Sequence, residues 1–104
     1  MIKKLFTLVA LLSSTYTFAY VDCPKAKVKH IQPDVGWVYI QLEGQDWQRL
    51  GDYDEKSLSS KVSIALSAFA SGKEVMLRFP DGHNSECTSF NNTVNAWAIR
   101  ISED

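Results

Sequence analysis

Only one stretch of this chain repeats its apolar residues at clear helical spacing: SLSSKVSIALSAFASG, residues 57 to 72. On both sides the apolar residues alternate with a period of two, the pattern of half-buried strands. One helix among several strands restricts the chain to a mainly β, α+β architecture. The strand runs are 25–31, 37–43, 47–50, 73–79 and 96–101. Val38, Ile40 and Leu42 share one face of the second run, and Val75, Leu77 and Phe79 share one face of the fourth. Trp97, Ile99 and Ile101 are expected to point inward from the last. Turn chemistry at Pro33-Asp34-Val35-Gly36, Gly44-Gln45-Asp46 and Pro80-Asp81-Gly82 separates the runs. The order β-β-β-α-β-β predicts a small five-stranded OB-like barrel with the helix at one end. A half-open sheet covered by one helix fits the same order.

The helix is expected over 57–71, with Gly72 as its left-handed stop. Asp52, Asp54 and Glu55 precede it and suit the positive end of its dipole. Successive residues turn by about 100°. Leu58, Val62, Ala65, Leu66 and Phe69 then form one stripe, which is expected to face the sheet. Ser59, Ser60, Ser63, Ser67 and Ser71 fall opposite with Ala70, and Ile64 and Ala68 lie beside them. Solvated helix faces usually carry charge and better helix formers than serine, yet Lys61 is the sole charged residue between Ser57 and Gly72. Ser60, Ser63, Ile64, Ser67, Ala68 and Ser71 are therefore a candidate oligomer interface, packed on a symmetry-related helix. Plain solvent exposure is the alternative.

The first nineteen residues read as an export signal. Lys3 and Lys4 are followed by a short, mostly apolar stretch, Leu5 to Leu12, and then by small residues at Thr17 and Ala19. Cleavage is expected after Ala19, leaving 20–104 as a single domain that is secreted or periplasmic. The apolar stretch is too short to span a bilayer, which takes about 20 residues, and no other segment is long and apolar enough. The only two cysteines, Cys23 and Cys87, both fall in the exported part and are expected to form a disulfide. Removal of the two lysines takes the formal net charge from −1 to about −3. That balance argues against nucleic acid, which requires a positive surface, and no polybasic segment is present to hold an anionic membrane.

Chemistry is sparse. Two histidines, His30 and His83, and no recognisable nucleophile motif do not make a catalytic constellation. Asp81-Gly82-His83-Asn84 lacks the calcium-loop pattern. No cofactor and no metal are expected, and the chain reads as non-enzymatic. Binding has better support. Trp37 and Tyr39 share the outer face of one strand, and Trp47 and Arg49 share a face of the next. If these strands pair, the four residues meet in an aromatic patch carrying one cation, suited to the apolar face of a sugar or to a protein hot spot. The bland alternative places either tryptophan in the core.

The small-residue helix ending ALSAFASGKEV, followed by the strand Glu74-Val75-Met76-Leu77-Arg78-Phe79, resembles the B subunits of AB5 toxins. The nearest type is the subtilase cytotoxin and pertussis-like group. The export signal, the expected disulfide and the element order agree with that resemblance. It implies an OB domain in a ring of five, with helices around a central pore. It also implies binding to sialylated or other cell-surface glycans, and an enzymatic A subunit docked on the ring. No sugar-pocket residue is carried over from it. The chain departs from the family in being shorter and in tying its N-terminal arm to the loop before the last strand. A periplasmic adaptor that binds another protein, or a small inhibitor acting as a monomer, is the alternative function.

Overall fold

Val75, Leu77 and Phe79 are fully buried, while Glu74, Met76, Arg78 and Pro80 between them are half-exposed. That alternation lays one strand with its apolar face on the core. A computed structural model describes residues 19–102, so the expected leader, apart from Ala19, lies outside the described residues. The described chain forms β1 (Tyr20–Asp22), β2 (Ala26–Pro33), β3 (Trp37–Leu42), β4 (Gln48–Asp52), α1 (Leu58–Ser71), β5 (Glu74–Pro80) and β6 (Ala98–Ser102). The described residues are mainly β with one helix, and the strand ladders among them are antiparallel.

β5 is the centre of the sheet. β6 pairs along one of its edges, and both β1 and β2 pair with it as well. β3 follows β2, and β4 follows β3. The sheet therefore has six strands and does not close. The five-stranded barrel expected from the element order is not formed: among the described residues β4 and β6 share no ladder. What spans the gap is a backbone hydrogen bond from Ala96 N–H to Arg49 O, at 3.0 Å. β1 was not expected, because three residues beside a cysteine are too few to show alternation. Arg78 holds β1 in place: it donates to the Asp22 carboxylate at 2.8 Å and lies 3.9 Å above the Tyr20 ring. That guanidinium keeps the Asp22 carboxyl below its usual range, and the carboxylate in turn raises Arg78.

The core lies between the sheet and α1. Ile40, Leu50, Leu77, Phe79 and Val75 are completely enclosed, each worth about 1.5–3 kcal/mol of burial. The Cys23–Cys87 disulfide, with its Cα atoms 5.7 Å apart, is buried in the same cluster. It ties the segment between β1 and β2 to the loop 81–97.

The helix boundaries are close to those expected, and Gly72 ends the helix in a left-handed conformation at φ 69°. The face it buries is different. Leu58, Lys61, Ala65 and Ala68 are buried and Val62 is half-buried, whereas Leu66 and Phe69 are 52% and 55% exposed. Two causes act together. Ala65 and Ala68 have almost no side chain, so the helix backbone can approach the sheet closely. Lys61 turns inward, where its ammonium donates to Leu50 O, to Ala96 O and to the Glu55 carboxylate. Ala68 is thus core, not outer surface. Asp52 and Glu55 serve as partners for Arg49 and Lys61 in ion pairs, and no acidic residue stands in the first helical turn. Trp97, expected inward, is 57% exposed: it precedes β6, and its N–H is spent on Arg78 O.

Candidate functional site

Alternation along β3 sends Val38, Ile40 and Leu42 into the core and Trp37, Tyr39 and Gln41 to the opposite face. The short turn after Leu42 brings β4 back alongside, with Tyr39 opposite Arg49 and Trp37 opposite Asp52. The pairing slips between Val38 and Tyr39, a local irregularity of the kind that bends a strand and re-aims a side chain. All four side chains singled out from the sequence meet here. The Trp37 and Tyr39 rings stand edge to face at 6.0 Å, and Tyr39 and Trp47 do so at 6.1 Å. The Arg49 guanidinium lies 4.3 Å above the Trp37 ring. Neither tryptophan is fully buried, while Tyr39, at the centre, is only 8% exposed.

Two further rings extend the group into a ridge. His30 on β2 stacks on Trp47 at 5.4 Å and 14°. Phe90, from the loop 81–97, lies 5.7 Å from Tyr39 and is 56% exposed. Neither was singled out from the sequence. Phe90 comes from a segment without periodicity, and its one signal there was an aromatic residue among polar ones.

Arg49 is not a free cation. Its Nε donates to Asn95 Oδ1 at 2.8 Å, Nη1 donates to Asn92 O at 2.9 Å, and Nη2 is bonded to the Asp52 carboxylate. The hydrogen bond from Arg49 holds the Asp52 carboxyl below its usual range. Arg49 therefore clamps the loop 81–97 to β4 with the Trp37 ring beneath it. Gln48, completely buried on the other side of β4, works similarly from inside. Its Nε2 donates to Cys87 O and Ser89 O, so its Oε1 is the acceptor facing His83 Nε2 at 3.0 Å. That pairing places a proton on Nε2. His83 also stacks on Phe79 at 3.9 Å, and burial pushes its pKa down.

Beside Trp47, the turn between β3 and β4 opens into a shallow groove of about 350 Å³, lined by Gln41, Gly44, Gln45, Asp46, Trp47 and Thr88. Gln45 is 9% exposed; its Nε2 donates to Pro24 O at 2.7 Å, and its Oε1 is buried without a donor among the described residues. Trp37 Nε1 is likewise buried without an acceptor. Among the described residues, no group of three His, Cys, Asp or Glu side chains is placed to hold a metal ion.

Comparison with known proteins brings out no matching family model, no matching curated protein and no matching solved structure. The ridge is chemically a set of ring faces and edges bordered by amides, one carboxylate and a hydroxyl. Such a surface can stack on and hydrogen-bond to a ligand.

Proposed function

We propose that this chain is an exported, non-enzymatic binding subunit of the AB5-toxin B type, acting as a homo-oligomer on a cell-surface glycan. The observation that carries the binding reading is the convergence of Trp37, Tyr39 and Trp47 with His30 and Phe90 beside an open polar groove. Aromatic rings bordered by hydrogen-bonding side chains suit the two sides of a sugar ring. The groups with reactive chemistry are committed to structure here. The cysteines hold each other, Lys61 and Glu55 are paired, and His83 is bonded to Gln48. A buried disulfide favours an oxidising compartment, and β1 starts at Tyr20, next to the expected cleavage point. On a glycan array, wild-type protein is expected to bind a defined set of sugars, and Trp47→Ala to lose at least about tenfold in affinity with its fold intact. Equal binding by the variant would remove the ridge from the site.

The oligomer reading rests on the outer face of α1. Ser60, Ser63, Ile64, Ser67 and Ser71 are all exposed, and the inward turn of Lys61 leaves that face without charge. Such a face can meet a copy of itself without like-charge repulsion. Leu66 and Phe69 flank it on one side, and Ile64 and Trp97 line a shallow cleft on the other. Ser67→Lys is expected to convert the assembly to folded monomer in light scattering, and an unchanged mass would reject this interface.

A second reading, a monomeric protein-binding adaptor or inhibitor, draws on the exposure of Phe90 and Trp97, since exposed aromatics anchor protein interfaces. A strict monomer at micromolar concentration that binds no glycan supports it.

A further inference from the structure

We infer that the groove at the turn between β3 and β4 is the polar half of the ridge site, and that it selects an uncharged, hydroxyl-rich sugar over a sialylated one. The inference rests on the glycan reading of the ridge and specifies its ligand.

Of the six residues that line the groove, Asp46 is the only charged one, and none is basic. Asp46 Oδ1 accepts the backbone N–H of Trp47 at 2.7 Å, which fixes its carboxylate within the turn. A sugar carboxylate placed there would meet that negative charge in a partly desolvated setting, where repulsion is weakly screened. The ridge offers no compensating arginine. Arg49, its cation, is already paired with the Asp52 carboxylate, bonded to Asn95 Oδ1 and Asn92 O, and laid on the Trp37 ring. A sugar hydroxyl, by contrast, is a donor, and the groove is rich in acceptors.

Thr88 stands on the facing loop. Its Oγ1 accepts from Asn84 Nδ2 at 3.2 Å, which leaves its own O–H to donate to a ring or hydroxyl oxygen. The loop that carries Thr88 also carries Phe90, so the stacking and hydrogen-bonding halves of the site are built from the same segments.

The test uses mature, oxidised protein and one immobilised sialylated glycoprotein, before and after sialidase treatment. Wild type is expected to bind the desialylated form at least about tenfold more tightly, the scale of one charge-assisted hydrogen bond gained or lost. Asp46→Asn keeps an acceptor for Trp47 N–H and is expected to weaken that binding by about tenfold, as is Thr88→Val. Tighter binding to the sialylated form overturns the inference, and so does unchanged binding by both variants. In either case sensitivity to Trp47→Ala would leave the glycan reading standing. Folded wild type that binds neither form, and nothing on the wider array, overturns both.

Discussion

Replacing Cys23 and Cys87 together by alanine is expected to lower the unfolding free energy by about 4 kcal/mol. The figure comes from the loop that the bond closes. With a sequence separation of 64 residues, the chain-entropy model gives a cost of about that size for the freed unfolded state. A domain this small holds only about 5–15 kcal/mol in all, and its size argues for the lower end. The double variant should therefore be close to unfolding at physiological temperature. The loss is also local. The loop 81–97 has no helix or strand and is fastened at Cys87, at Gln48 and at Arg49. Without the disulfide, the side-chain bonds of Gln48 and Arg49 and the backbone bonds from Asn91 N–H to Trp47 O and from Asp46 N–H to Cys87 O must hold Phe90 against Tyr39. Urea unfolding followed by tryptophan fluorescence measures the global term. A decrease below about 1 kcal/mol, the worth of a single hydrogen bond, would show that side-chain bonds already fix the loop.

Where one physical rule dominated, the sequence was legible. Period-two alternation placed Val38, Ile40 and Leu42, and again Val75, Leu77 and Phe79, on the core side, as observed. It also put Trp37 with Tyr39 and Trp47 with Arg49 on common faces, and the short turn after Leu42 then made their meeting a matter of register. The helix boundary was legible because a left-handed glycine is a local device. The helix face was not. An angular plot of hydrophobicity turns every lysine outward, whereas Lys61 is drawn in by acceptors on β4, on the segment before β6 and at Glu55. None of these lies on the helix itself. The same tertiary bonds left Leu66 and Phe69 outside and brought Ala68 in. Phe90 and the asparagines that anchor Arg49 come from a loop whose shape is set by a disulfide and by hydrogen bonds from β4. Barrel closure failed for a similar reason. The segment before β6 meets the β4 backbone through the Ala96–Arg49 bond, forms no ladder with it, and then continues along β5.

Lys61 accordingly carries the second large effect, and Lys61→Met is expected to cost about 3 kcal/mol. Methionine keeps most of the apolar stem that packs under the helix, so the change isolates the ammonium. In the wild type that ammonium satisfies Leu50 O at 3.2 Å and Ala96 O at 2.5 Å while neutralising Glu55. Without it, two carbonyls lose a donor and Glu55 loses its counter-ion, keeping only the bonds from Ser57 Oγ and Asn95 Nδ2, in a place where water has little access: the lysine side chain is 7% exposed and that of Glu55 25%. Leaving one member of a buried pair uncompensated costs about 3–5 kcal/mol, and the residual exposure of Glu55 sets the expectation at the low end. The double variant Lys61→Met, Glu55→Gln removes the stranded charge and is expected to recover about 1 kcal/mol, a coupling within the range for groups in direct contact. Because Lys61 joins α1 to β4 and to the segment before β6, its loss should also release the helix relative to the sheet. Amide exchange in α1 is then expected to speed up more than exchange in β5. A single variant that unfolds within about 1 kcal/mol of wild type and keeps its exchange pattern would mean that Ala65 and Ala68 alone set the rotation of the helix. The uncharged outer face proposed for self-association would then owe nothing to the inward lysine.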